Sequence, residues 1–286
     1  MASSPNFVAS CPKPTYDTGC TYCQIPLFDQ DSQIDLTKPL NGTKSGFWKH
    51  LVVFTGENAH DWPSKIELQP GTLVAEMNFH KRTLLSPFHP VVVSNSSLPS
   101  PVLTKKGHFS VGLYPDNKLF QISLQDVPSF MASHLKPETE AQEVYNPFVL
   151  KAAQRKEVAV KEFPSEAIPN PMVLICGHAK RDVRCGVLAP PIAAEFEAVL
   201  GENRMLYDPD SNPNGWKVGM ISHIGGHVYA GNVLIFDKKW AAKETVENTR
   251  GAVWYGRVTP QDVQGIVQET ILKDNVIQEL YRGVVE

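Results

Sequence analysis

Two cysteines and two histidines constrain this chain more than any other feature. Cys176 and Cys185 stand with eight residues between them, and His223 and His227 follow with three between them. Thiolate and neutral imidazole are soft and borderline donors, and two of each suit zinc or an iron–sulfur centre. For the four to meet, the 37 residues between Cys185 and His223 must leave and return on rigid elements.

Spacing discriminates among the ways to build such a site. A zinc knuckle sets its cysteines a few residues apart, which this chain does not. A Rieske centre also uses two Cys and two His. Cys176-Gly177-His178 imitates half of that pattern, but no second copy follows. The remaining arrangement puts Cys176 at the C-terminal end of the apolar strand Met172–Ile175 and Cys185 at the start of the next helix. There the helix dipole favours a thiolate. His223 and His227 would come from a later Gly-rich loop of the same sheet, with glycines allowing close backbone approach. His178, Arg181, Gly226 and Asn232 flank the set as surrounding donors and charges, together with Tyr229. His178 is the rival ligand. Arg181, Asp182 and Arg184 read either as a surface ion-pair run or as a charged rim that docks a partner.

The rest of the chain supplies a framework. Residues 1–45 show neither a 3.6 nor a 2.0 period and read as an irregular arm. Lys49–Thr55, Val91–Val93, His108–Pro115 and Leu119–Leu124 read as strands, the last two as a hairpin. Thr72–Met77 fits a strand or a short helix, Val127–Leu135 a short helix, and Glu138–Lys161 has helical spacing interrupted by Pro147. Phe163–Pro171 holds three prolines in nine residues and reads as a linker. Beyond it, Lys217–Ile221, Asn232–Phe236 and Ala252–Val258 read as strands. A helix is expected over Cys185–Leu200, with Pro190 and Pro191 in its first turn. Another is expected from Thr259-Pro260-Gln261-Asp262 to about Tyr281. The expected organisation is an arm (1–45), an α+β domain (46–165) and a small α/β domain (166–286) with a mixed, thioredoxin-like sheet. No internal repeat is visible.

Bulk properties exclude several functions. A formal net charge of −3 gives no basic field for nucleic acid. The apolar runs are too short for membrane insertion. The N-terminal residues lack the apolar core of a secretory signal, so an intracellular setting is expected. Five cysteines, an odd number in two clusters, argue against a disulfide scaffold. No Gly-x-Gly-x-x-Gly follows a strand, so no hydride cofactor is indicated.

Cys-x-His-x₂-Arg-Asp-x₂-Cys-Gly at residues 176–186, followed by His-x-Gly-Gly-His-x₂-Ala-Gly-Asn at residues 223–232, resembles the sucrase/ferredoxin-like family. The resemblance covers roughly residues 11–286. It implies that the C-terminal half is a thioredoxin-like ferredoxin domain. It also implies a [2Fe–2S] cluster held by Cys176, Cys185, His223 and His227, as in fungal members that carry His-x₃-His. A mitochondrial setting, electron transfer or thiol redox work, and an as yet unidentified redox protein partner follow as further implications. Two other functions are carried as alternatives. One is a zinc-binding structural or interaction module. The other is a thiol oxidoreductase working through Cys20 and Cys23. Those two, with Cys11, are possible redox thiols or, equally, free thiols in an arm.

Overall fold

The structure is a computed structural model and describes residues 6–25, 28–29, 33–136, 161–241 and 252–285. The expected Glu138–Lys161 helix lies outside the described residues, apart from its last position.

Among the described residues, twelve strands and five α-helices appear in chain order. They are β1 (Phe7–Val8), β2 (Lys49–Phe54), α1 (Leu73–Leu84), β3 (Val91–Ser96), β4 (His108–Tyr114), β5 (Lys118–Ser123), α2 (Val127–His134) and β6 (Ser165–Ala167). Then come β7 (Met172–Cys176), α3 (Val183–Glu202), β8 (Lys217–Ile221), β9 (Val233–Phe236), α4 (Lys238–Ala241), β10 (Ala252–Tyr255), α5 (Val263–Ile266), β11 (Val276–Ile277) and β12 (Tyr281–Val285). Ten strands form one mixed sheet in the order β12-β10-β9-β7-β8-β3-β2-β4-β5-β6.

That order contains a repeat that the sequence hides. In the first half β2 pairs parallel with β3 and antiparallel with β4; β4 pairs with β5, and β5 with β6. In the second half β7 pairs parallel with β8 and antiparallel with β9; β9 pairs with β10, and β10 with β12. Helix α1 or α3 links the first two strands, and α2 or α5 follows the fourth. Each half is therefore β-α-β-β-β-α-β with its first strand between the second and third. This is the mixed sheet expected of the C-terminal half, found twice. The halves join edge to edge through their second strands, β3 and β8, which run antiparallel and share the registered pair Ser96↔Ile221. The Pro-rich stretch is not bare linker, because it contributes β6 to the first half.

Local chemistry explains the elements. All five residues of β7 are buried, as its unbroken apolar run requires of a strand covered on both faces. Thr72 caps α1, its hydroxyl accepting from the Ala75 N–H at 3.3 Å, which settles the open Thr72–Met77 reading as helix. Thr259 and Asp262 form the expected capping box before α5.

Three expectations need correction. Helix α3 begins at Val183, so Pro190 and Pro191 lie inside it rather than in its first turn. Lacking N–H groups, they leave the carbonyls four residues earlier without helical donors. The closing helix does not reach Tyr281. After α5 a π-helical turn ends at Leu272, and Asp274 turns left-handed at φ 62°. The chain then returns as β11 and β12, where Val276, Ile277, Val284 and Val285 favour extended backbone. The arm is not wholly irregular, since β1 pairs parallel with β11.

Two cores result. One packs α1 and α2 on the first half's sheet around Leu51, Met77, Phe120 and Phe130. The other runs from α3 and α5 through Ile175, Phe196, Trp254 and Ile266 to Phe54 and Tyr114 of the first half.

Candidate metal centre

The centre forms where β7 ends. Cys176 is the last residue of β7, and its backbone N–H donates to the Asn232 carbonyl at 2.9 Å. A short turn leads to Asp182, which caps α3 by accepting from the Arg184 N–H at 3.0 Å. This puts Cys185 on the first helical turn. Both cysteines are 1% exposed and neither forms a disulfide.

The Cys185 thiol, His223 and the Ile224 N–H lie around the Cys176 sulfur and set its charge. The Cys185 thiol, then His223 and Ile224, hold the Cys176 sulfur well below the usual thiol range. Cys185 is driven up by Cys176 and by burial. The two thiols therefore titrate as one coupled pair.

His223 and His227 stack with ring centroids 4.6 Å apart. Nδ1 of each is buried without a hydrogen-bond partner, an uncommon condition for a buried polar atom. The His227 side chain is 35% exposed, so the histidines form the outer edge of a site whose cysteines are inside. Burial lowers the His227 imidazole's pKa, against the attraction of Asp182, whose Oδ2 is 3.5 Å from its Nδ1. Burial raises the Asp182 carboxyl, but three hydrogen bonds from the Arg184 side chain and backbone, with the attraction of His227, outweigh it and bring it below its ordinary value. Among the described residues no three His, Cys, Asp or Glu side chains converge on a single point suited to a metal ion. The donors lie instead as a cysteine pair and a histidine pair, joined through Cys176 and His223.

The flanking residues have distinct places. His178 is 1% exposed and uses both ring nitrogens within the protein. Nε2 faces the Pro63 carbonyl at 2.9 Å and so donates, while Nδ1 accepts from the His223 backbone N–H at 3.1 Å. Neither nitrogen is left for a metal. Arg181 turns toward the first half, donating to the Ser64 carbonyl at 3.0 Å. The Gly226 carbonyl accepts from Asn232 Nδ2 at 3.3 Å. Gly225 has φ +85°, and a Cβ there would lie 2.4 Å from Trp254 and 2.5 Å from Arg282. Only glycine closes the loop that tightly.

Arg282 is the buried residue that periodicity hid, because it follows directly on the segment expected as helix. It is 1% exposed and donates to Asn232 Oδ1, to the Thr43 carbonyl and to Thr43 Oγ1. Its guanidinium lies 4.7 Å from the Tyr229 ring and 5.1 Å from that of Trp254. No carboxylate pairs with it among the described residues. Burial brings it down to about 10, against an attraction to Cys176. It is a buried cation beside an anionic thiol pair. A lone arginine near the C-terminus carries no sequence signal for that.

The N-terminal cysteines lie apart from this centre. Cys11 donates to the Asp262 carbonyl at 3.3 Å, and burial pushes it up to about 12. Cys20 and Cys23 sit along α3, with Cys20 Sγ 3.6 Å from the Pro191 carbonyl.

Strand β7 thus ends in one cysteine, the first turn of α3 carries another, and a His-Gly-Gly-His loop follows β8. Residues 40–283 match the sucrase/ferredoxin-like family, and the chain belongs to it. Among curated relatives it is similar to altered inheritance of mitochondria protein 32 of Meyerozyma guilliermondii, at 45% identity over 99% of this chain and 97% of that protein. The proteins of that name from Clavispora lusitaniae and Debaryomyces hansenii are 42% and 40% identical, covering 97% and 98% of this chain and 95% and 96% of their own lengths. No solved structure matches.

Proposed function

We propose that this protein is a one-electron carrier whose [2Fe–2S] cluster is held by Cys176, Cys185, His223 and His227. The observation that carries the reading is the pairing of the donors. A single zinc needs its ligands around one point. A binuclear cluster takes two ligands per iron, and imidazole can replace thiolate on one of them. Two buried, neighbouring thiols and two tilted imidazoles, 4.6 Å between centroids, whose Nδ1 atoms lack a hydrogen-bond partner fit that division.

When bound, the cluster supplies an electron acceptor and donor of one-electron capacity. The chain's residues do the rest. Cys176, held below the usual thiol range, and Cys185 beside it supply the thiolate ligands. His178 fixes the His223 backbone, and Asn232 ties the loop to Cys176. His227, the half-exposed edge, offers the route to solvent and to a redox protein partner. With the cluster in place, an added electron would raise negative charge beside the histidine ligands and so would favour protonation at that edge of the site. The relatives' names direct the proposal to mitochondria. A net charge of −3 gives no support to nucleic-acid binding, and no described helix is long and apolar enough to cross a membrane.

Protein purified without oxygen should be coloured and contain two iron and two sulfide per chain. Its reduced form should give an electron paramagnetic resonance signal whose potential falls as pH rises. Colourless protein holding one zinc per chain overturns the reading.

A further inference from the structure

The Cys20–Cys23 pair is unabsorbed by the metal centre, and its geometry is that of a disulfide waiting to close. The Cys23 N–H donates to the Cys20 carbonyl at 3.0 Å, which makes residues 20–23 a hydrogen-bonded turn. Such a turn holds its end Cα atoms within about 7 Å. A disulfide spans about 4.4–6.8 Å between Cα atoms. The two Sγ atoms are 2.9 Å apart and hydrogen-bonded. Cys23 is exposed, whereas Cys20 is partly buried.

The turn is also clamped. Thr21 donates to Glu195 Oε1 at 2.9 Å, and Thr18 donates to Glu195 Oε2. Glu195 is fully buried on α3. Gln264, at the start of α5, adds a bond from Nε2 to the Tyr16 carbonyl at 2.7 Å and accepts from the Thr15 N–H at 2.9 Å. The pair is thus held in one geometry against the helix that carries Cys185. Pro191 lies six positions beyond Cys185 on α3, about 9 Å along the axis. Cys11 takes no part, since its thiol faces the Asp262 carbonyl and packs against Gly265.

We propose that Cys20 and Cys23 form a reversible two-electron dithiol–disulfide couple that exchanges with small disulfides of the glutathione type. Cys23, the sulfur an outside molecule can reach, loses its proton and attacks one sulfur of glutathione disulfide. The S–S bond breaks, one glutathione thiolate leaves and takes up a proton, and a mixed disulfide forms on Cys23. Cys20 then loses its proton and attacks the Cys23 sulfur, releasing the second glutathione. Two thiols and one disulfide give one disulfide and two thiols, so atoms and electrons balance. Burial and the bond to Cys23 push Cys20 up to about 12, in keeping with its role as the second, resolving sulfur.

The inference stands apart from the metal reading and is tested on the full chain. Wild type, Cys20→Ser and Cys23→Ser are equilibrated with glutathione and glutathione disulfide over about a hundredfold range of ratio, alkylated, and mapped by peptide mass spectrometry. Wild type should pass from two alkylated thiols to a Cys20–Cys23 disulfide. Cys20→Ser should accumulate glutathione on Cys23, and Cys23→Ser should carry at least tenfold less on Cys20. Visible absorption should be unchanged in both variants. Thiols that stay alkylated at every ratio, or oxidation that joins another pair, overturn the proposal. Should a variant fail to fold, the wild-type mapping decides alone. Colourless protein that still closes the disulfide sinks the cluster reading and leaves this one standing.

Discussion

The two halves of the molecule share one topology and differ in what their loops carry. In the second half β7 ends on Cys176, Asp182 caps a helix with Cys185 as its third residue, and the loop after β8 holds His223 and His227. In the first half β2 ends on Phe54, Thr72 caps a helix with Ala75 as its third residue, and the loop after β3 runs Ser97-Leu98-Pro99-Ser100-Pro101. The scaffold offers the same three addresses in both: strand end, helix start and return loop. Only one half furnishes them with thiols and imidazoles. The other uses them for packing, Phe54 entering the shared core. Fold alone therefore assigns no chemistry here, and the site residues do.

The sharpest break of this comparison is at the addresses themselves. Cys176→Ala or Cys185→Ala should abolish visible absorption and bound iron. Ala75→Cys, at the matching place in the first half, should leave iron content unchanged. Iron and sulfide analysis of purified protein reads both, and iron retained in Cys185→Ala would remove the proposed ligand set.

The return loops give the next contrast. Gly225 and Gly107 both have positive φ, at +85° and +76°. A Cβ at Gly225 meets Trp254 and Arg282, whereas one at Gly107 meets nothing within 4 Å. Gly107→Ala should cost only the left-handed penalty of about 1–2 kcal/mol. Gly225→Ala adds a clash under the histidines and should lose the centre as well as more stability. Urea unfolding with iron analysis separates the two.

The first half has its own buried imidazole, and it answers to pH. His50 is fully buried, its Nε2 3.1 Å from Ser94 Oγ, and burial pushes it down to about 3. Its ordinary value is about 6.5. Between those values the unfolded chain binds the proton and the folded chain does not, so stability rises with pH through that window. It is full above about 6.5 and lost on acidification toward 3, by up to about 1.4 kcal/mol per pH unit. His50→Gln should flatten that slope in urea titrations from pH 7 to pH 4. An unchanged slope would show that other groups carry it.

Much of the centre was legible because its chemistry is written in rare residues. Cys176, Cys185, His223 and His227 announce themselves by type, and the apolar run of β7 sets the first in place; the cap at Asp182, which the sequence shows only as part of a charged run, places the second. The repeat was not legible. Topology depends on which strands pair, and Phe54 and Ala75 resemble Cys176 and Cys185 in address only. The closing helix was misread because Val263, Ile266, Val267 and Ile271 keep helical spacing. The left-handed turn at Asp274 and the β-branched residues after it then win. That error concealed Arg282, since a residue on a solvated helix tail and one buried on a strand look alike in sequence.

Arg282 also supplies the finest test of the comparison. The second half holds a buried guanidinium fixed by Asn232 and Thr43 and flanked by Tyr229 and Trp254, with no carboxylate partner among the described residues. The first half buries no arginine or lysine of its own among the described residues. A fixed positive charge beside the centre favours the state with the extra electron, and low local dielectric strengthens that effect. Arg282→Gln should therefore lower the reduction potential, by about 59 mV for a tenfold change in the reduced-to-oxidised ratio. Arg282→Lys keeps the charge while disturbing the fork that Asn232 and Thr43 accept. If charge is what matters, the lysine variant should recover most of the potential. If packing is what matters, both variants should shift alike and lose stability together, and redox titration beside urea unfolding tells the two apart.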